Sequence, residues 1–372
     1  MSGPIQIQPD ETFILNIGPQ HPATHGVLRI KMEMDGEYIV KAETVLGYIH
    51  RMHELMGENR TYPQVLPNLS RLDYLGAMGY THCHVLAIER AAGIEVPERA
   101  EYIRVITVEL NRIASHLFWF GAFVMDLGGF TPLMYALQDR EHILDALEGI
   151  TGSRLTYCYH VFGGVSNDID DDFIKATKAI IPMMRKSLKK YKALVTGNII
   201  FRKRLEGIGP ISAEMCRKYG ATGAVARGSG IDFDVRKNEP YSVYSEFDFD
   251  VPVYHECDSL ARYMVRMDEM EQSLRIIEQG LDKLPDGPVM PAKKPKLIKP
   301  PVGDYYQAVE TARGSFGIRL VSDGTKNAYR FKLRSPTYSN MCLFDEACEG
   351  MLLMDALAML GSLDLVIPEI DR

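Results

Sequence analysis

The chain has 372 residues, a formal net charge of -7 and 46% hydrophobic residues. That length buries a large core of two or three intimately packed parts, and the acidic balance argues against a nucleic-acid binder, which presents a basic excess. The start, MSGPIQIQPDE, lacks the basic and then apolar order of a signal peptide. The longest uncharged apolar stretch, Ile113–Met125, is shorter than the roughly 20 residues that cross a bilayer, so any membrane association is expected through a partner protein.

Residues 12–41 read as a small antiparallel unit. Phe13, Leu15 and Ile17 alternate, Leu28, Ile30, Met32 and Met34 alternate with charged residues, and Asp35-Gly36 supplies a turn before Tyr38 and Val40. The first two strands enclose an unusual loop, GPQHPATHG (Gly18–Gly26). From residue 43 to 200 the period becomes helical: Ile103, Ile106, Leu110, Ile113 and Leu117 share one face, Thr131-Pro132 offers a cap and a first-turn proline, and a third helix runs from Asp168–Asp172 to Lys186–Lys190. Residues 201–303 hold a glycine-rich irregular segment, a helix carrying Tyr263, Met267, Met270, Leu274, Ile277 and Leu281, and the surface segment Leu284–Pro301 with six prolines and four lysines. Residues 304–372 return to alternation, with a turn at Asp323-Gly324, then a helix around 344–360 and the tail LVIPEIDR. The expected fold class is α+β: a central helical bundle flanked by small N-terminal (1–42) and C-terminal (304–372) antiparallel β units.

The six cysteines (Cys83, Cys158, Cys216, Cys257, Cys342, Cys348) include no C-x-x-C pair, so free, mostly buried thiols in a reducing compartment are expected. His21 and His25 on the glycine-flanked loop read either as imidazoles presented to a cleft for proton donation or as structural side chains holding backbone carbonyls. His50 and His53, three apart in a helical pattern, form half a metal site at most, and His82 and His84 around Cys83 are a poor chelate. Asp126, after so apolar a run, needs a partner or shifts its pKa, unless it is simply a helix-end acid. Arg227–Gly230 contains a G-x-G without the strand and third glycine of a dinucleotide fingerprint and reads as a turn.

Together, GPQHPATHGVLR (Gly18–Arg29), LGYIHR (Leu46–Arg51), SRLDYLGAM (Ser70–Met78), RIASHL (Arg112–Leu117), MDLGGFTP (Met125–Pro132), RGSGIDFDVRKNEPY (Arg227–Tyr241), RYMVRMDEMEQSLRII (Arg262–Ile277), LVSDG (Leu320–Gly324) and the ending PEIDR resemble the D-type, quinone-site subunit of NADH:quinone oxidoreductase. Its equivalents serve chloroplast ferredoxin-dependent complexes and archaeal complexes that oxidise a reduced deazaflavin. The family is related to the nickel–iron hydrogenase large subunit, whose N- and C-terminal C-x-x-C pairs are missing here, leaving no soft ligands for nickel.

The resemblance implies a subunit that holds no cofactor itself and forms, beside an iron–sulfur cluster in a neighbouring small subunit, the site where a membrane quinone or a methanophenazine-like carrier is reduced, coupled to ion translocation. His25 and Tyr74 match the pair that hydrogen-bonds the quinone carbonyls, Asp126 matches the acid partnering the histidine, and His21, Thr24 and Gly26 line the loop. Arg51 and Arg71 match arginines that lie toward the cluster. Thr156 stands where the family's cluster-facing histidine would be, with Val161 and Phe162 replacing its arginine and proline, so a cluster potential that is lower and less pH-dependent is expected. The implied partners are the iron–sulfur subunit, a C-type peripheral subunit, a ferredoxin-like subunit and a membrane-embedded quinone-channel subunit, with the chain on the cytoplasmic face of the membrane. A hydrogenase-type subunit and a non-catalytic scaffold are the alternatives.

Overall fold

The structure, a computed structural model, describes residues 12–22, 26–293 and 297–372. Strands β1 (Phe13–Ile17), β2 (Gln20–His21), β3 (Gly26–Val27), β4 (Arg29–Asp35) and β5 (Tyr38–Val45) open the chain. β1, β4 and β5 form an antiparallel sheet in that order, and β2 with β3 makes a separate two-residue ladder carrying the Gly18–Gly26 loop. Along β4, Ile30, Met32 and Met34 are buried and alternate with Arg29, Lys31 and Glu33, so one face of the sheet covers the core.

Helices α1 (His53–Asn59), α2 (Tyr62–Leu69), α3 (Ala77–Ala92), α4 (Glu98–Asp126) and α5 (Phe130–Thr151) follow. The hairpin β6 (His160–Val161) and β7 (Gly164–Val165) leads to α6 (Asp171–Tyr191). α4 is buried on nearly every side, as a helix at the centre of a bundle must be. α6 is amphipathic, and Asp170 caps it by accepting from the Phe173 N–H at 2.8 Å. α5 starts at Phe130, with Gly129 and not Thr131 at its cap. The Gly129 N–H donates to Val124 O at 2.8 Å and Gly128 takes φ 94°, so the α4–α5 corner closes on glycine backbone before Thr131 is reached.

Four short helices, α7 (Ile199–Lys203), α8 (Ala213–Tyr219), α9 (Ala224–Arg227) and α10 (Val235–Asn238), precede α11 (Ser259–Asp282), which packs against α4. The C-terminal sheet is β8 (Gly303–Thr311), β9 (Gly314–Ser322) and β10 (Arg330–Arg334) in the order β10-β9-β8. Then come α12 (Pro336–Cys342), α13 (Phe344–Ala347), α14 (Leu353–Leu363) and α15 (Ile367–Asp371). The single helix expected over 344–360 is two: Gly350 N–H donates to Ile39 O at 2.7 Å and Ile39 N–H to Met351 O at 2.9 Å, so the chain between α13 and α14 is taken as an extra pairing by β5. The architecture is the α+β arrangement read from the sequence, a helical bundle between two small antiparallel sheets. No helix among the described residues is long and apolar enough to cross a membrane. Of the six free thiols, Cys83, Cys216 and Cys348 are buried, Cys158 is exposed, and Cys257 and Cys342 lie between.

Candidate functional site

Tyr74 does not start a helix; it sits in the turn between α2 and α3. Asp73 Oδ1 accepts from Leu75 N–H at 2.9 Å and Gly76 N–H at 3.0 Å, the local side-chain-to-backbone pattern that makes aspartate a turn former. The other oxygen, Oδ2, faces Arg313 Nη1 at 3.0 Å. A Cβ on Gly76 would lie 2.8 Å from that oxygen, so the turn needs glycine there. Arg313 reaches on to Asp364 at 3.3 Å and donates to Ser115 Oγ, and Arg266 pairs with Asp364 at 3.7 Å while stacking 4.4 Å from the Trp119 ring. Leu72, Asp73 and Leu75 are buried, whereas Tyr74 is 37% exposed, its ring leaving the core. Burial first, and the Asp73 charge second, push the phenol's pKa up, so it stays protonated as a donor.

His21 pairs with Gly26 at the base of the β2–β3 hairpin. A Cβ on Gly26 would stand 2.6 Å from Ile367 Cγ1, so the root of the loop rests directly on α15. Thr24 and His25 lie outside the described residues. Asp126 is the last residue of α4 and is exposed. Its Oδ2 lies 3.6 Å from where a Gly361 Cβ would be, and the Gly361 carbonyl accepts from the Trp119 indole N–H at 2.9 Å.

One short stretch therefore touches three of the motifs. Gly361 meets Asp126, Asp364 meets Arg313 behind the Tyr74 turn, and Ile367 meets Gly26 beneath the loop. Two residues before the C-terminal Arg372, Ile370 is buried, and Asp371 holds the LGYIHR motif: its carboxylate accepts from Gly47 N–H and Ile49 N–H, both at 2.8 Å, and its carbonyl lies 2.7 Å from His50 Nδ1.

Arg51 is exposed just before α1, and Arg71, also exposed, donates to Pro67 O. The Cys158 thiol lies 3.9 Å from Ser70 Oγ, which sets the Thr156 loop alongside the Arg71 turn. Thr156 takes φ 47°, an unfavourable conformation for a β-branched residue. His50 precedes α1, so it does not share a helical face with His53 as the spacing predicted. His53 is buried, and desolvation, then the Arg51 charge, lower its pKa to about 4. His82 Nε2 meets Ser242 Oγ at 3.1 Å and His84 Nε2–H donates to Tyr62 O at 3.0 Å, so both are structural. Among the described residues no three His, Cys, Asp or Glu side chains gather as a metal site.

Sequence reading missed a buried ionic network. Arg227, taken for part of a turn, pairs with Glu310 at 2.7 Å and Glu269 at 3.3 Å. Arg236 contacts Asp234 at 2.7 Å, Glu109 at 3.1 Å and Glu269 at 3.2 Å, while Arg112 joins Glu109 and Glu269. His116 Nε2 lies 3.3 Å from Glu269. Burial, then repulsion from Asp234, raises Glu310 to about 7. The signal was present in α4, where Glu109, Arg112 and His116 recur at helical spacing on a face no solvent reaches.

The sequence and the fold match a defined class of redox-complex subunit. Residues 126–301 and 292–372 match the family described as the respiratory-chain NADH dehydrogenase 49 kDa subunit. The D-type subunit of NADH-quinone oxidoreductase from Desulfotalea psychrophila is 76% identical over all 372 residues of both chains. A D-type subunit of the same oxidoreductase from Opitutus terrae is 64% identical over 98% of this chain and 91% of its own. A chain in the structure of the membrane-bound sulfane sulfur reductase, an archaeal respiratory membrane complex, superposes with a TM-score of 0.94 at 36% identity, covering 99% of this chain and 100% of that one. The protein belongs to the 49 kDa subunit family of the respiratory-chain NADH dehydrogenase.

Proposed function

We propose that this chain forms the acceptor-reducing site of a membrane-associated, complex I-like oxidoreductase, with a quinone headgroup as acceptor. The observation that carries the reading is the convergence on Gly361–Ile367: the supports of Tyr74, of Asp126 and of the Gly18–Gly26 loop all rest on this one segment. Reducing a quinone needs two electrons and two protons, and a donor at each developing oxyanion lowers the barrier most. Tyr74, kept protonated by burial and by Asp73, supplies one such donor. His25, with Asp126 orienting it and favouring its charged form, supplies the other. His21, Thr24 and Gly26 are the further residues assigned to binding the headgroup.

The electrons arrive from an iron–sulfur cluster in a small partner subunit, and the exposed Arg51 and Arg71 with the Thr156 loop form the surface facing it. Positive charge there favours the reduced cluster. The exposed apolar side chains Phe130, which opens α5, and Ile200, which lines one cavity with Gly128 and Gly129 just past Asp126, suit a membrane-embedded partner through which an apolar acceptor tail leaves. C-type and ferredoxin-like subunits complete the peripheral arm on the cytoplasmic face. The donor, whether NADH, ferredoxin or a reduced deazaflavin, is chosen by those other subunits, and the coupling to ion translocation belongs to the whole complex.

The test is Tyr74→Phe in the assembled complex. Quinone reduction is expected to fall at least tenfold in kcat, while electron transfer to an artificial acceptor that takes electrons before this site is unchanged. Unaltered quinone kinetics would favour a scaffold with a degenerate pocket.

A further inference from the structure

The buried acids of this core separate by the partners they keep. Asp73, Glu89, Glu109, Asp234, Glu269, Glu310 and Asp364 each lie within ion-pairing distance of an arginine. Asp258 and Asp371 each accept from two backbone N–H groups, which also hold a carboxylate in its charged form. Glu369, only 1% exposed in α15, has neither kind of partner among the described residues. Its Oε1 accepts from Ser335 Oγ at 2.9 Å, its Oε2 from Thr337 Oγ1, and the Tyr80 hydroxyl lies beside it. A hydroxyl accepts as readily as it donates. This setting therefore accommodates a carboxylic acid as well as a carboxylate.

Glu369 also stands next to the site. It is two residues beyond Ile367, on which Gly26 rests. Tyr80 belongs to α3, which the Tyr74 turn begins, and its buried hydroxyl has no well-formed hydrogen bond among the described residues. The charged groups facing Glu369 are Asp73 from that turn, Arg313 from the β8–β9 turn and Arg334 from the end of β10. The Asp73 charge acts on Tyr74 and Glu369 alike. Burial, against the lowering effect of Thr337 and with Asp73 adding to it, brings the carboxyl to about 7.

We propose that Glu369 holds the proton that restores Tyr74 after Tyr74 has donated to the reduced acceptor, an inference that rests on Tyr74 being that donor. In the step, an acceptor oxygen gains electron density from the partner's iron–sulfur cluster and takes the phenol proton. The phenolate regains a proton originating at the Glu369 carboxyl, with the Tyr80 hydroxyl beside that carboxyl as the first group on the way. The Glu369 carboxylate then takes one proton from water, so each turnover draws one proton from the medium at this oxygen. Glu369 touches no substrate; it is a positioning residue for a proton.

The experiment uses the assembled complex, a short-chain soluble quinone at saturation as the probe, and kcat followed from mildly acidic to mildly alkaline pH. Wild type is expected to lose rate as pH rises through neutrality. Glu369→Gln keeps the hydroxyl contacts and carries no transferable proton, so it is expected to lower kcat about tenfold at and above neutrality, less in acid where the medium supplies protons, with KM unchanged. Glu369→Asp is expected to restore most of the rate and the alkaline limb. A Glu369→Gln complex with wild-type kcat and profile overturns the inference. Tyr74→Phe, measured beside it, separates the two readings: if Tyr74→Phe is slow and Glu369→Gln is not, only the role of Glu369 falls. Should Glu369→Gln fail to assemble, Ser335→Ala with Thr337→Val removes the hydroxyls that lower the carboxyl's pKa and is expected to move the alkaline limb upward; an unmoved limb overturns the proposal.

Discussion

Replacing Arg236 by methionine removes one guanidinium and leaves three buried carboxylates partly uncompensated. Arg236 lies 2.7 Å from Asp234, 3.1 Å from Glu109 and 3.2 Å from Glu269, with every partner fully buried. Breaking a buried ion pair from one side costs about 3–5 kcal/mol. Here Arg112 still faces Glu109 and Glu269, and Arg227 still faces Glu269 and Asp234, so the low end of about 3 kcal/mol applies. At about 1.4 kcal/mol per decade, amide exchange protection in α4 and α11 is expected to fall on the order of a hundredfold in the assembled complex, read by hydrogen exchange and mass spectrometry.

The pH dependence fixes the sign. Burial raises the pKa of these carboxyls, but the guanidiniums overcome it, holding Asp234 and Glu109 below the usual range and Glu269 well below it. Stability from depressed carboxyls is present above their unfolded pKa and lost as pH falls through the folded values. The gap between wild type and Arg236→Met is therefore widest at neutral pH and narrows on acidification. Unchanged protection, or a penalty that does not vary with pH, would refute the reasoning.

Gly26→Ala places a methyl 2.6 Å from Ile367 Cγ1 and is expected to displace the loop root and raise the acceptor KM several-fold, with Ile367→Ala as second-site rescue; steady-state kinetics of both variants check this. His84, which burial holds at about 4, refuses the proton its unfolded form accepts near 6.5, so acidification to about pH 5 is expected to cost roughly 2 kcal/mol there. His84→Gln should lessen that acid sensitivity in pH-dependent exchange of α3. Thr156→His is expected to restore a pH slope to the partner cluster's potential, measured by redox titration of the complex at several pH values; an equally steep slope in the wild type would remove Thr156 from the cluster surface.

The sequence alone settled what depends on local pattern. Period-two runs specified β1, β4 and β5, because a strand with one buried face has to alternate. Period 3.6 with charged ends specified α6, and the long motifs were enough to place the chain in its family. The missing C-x-x-C pairs, and the motifs in which Tyr74, Asp126 and the two loop histidines stand, are likewise features of the sequence itself.

Tertiary structure decided what depends on long-range pairing. The helix expected over 344–360 broke because β5 claims the backbone near Gly350, a bond between residues some three hundred positions apart that no local window contains. His50 left its helix because Asp371 holds it. Arg227 looked like a turn residue because its carboxylate partners Glu269 and Glu310 come from α11 and β8. Glu369 is the sharpest case. In sequence it is one acid in the tail LVIPEIDR, and only folding buries it against the Ser335 and Thr337 hydroxyls with no arginine at ion-pairing distance among the described residues.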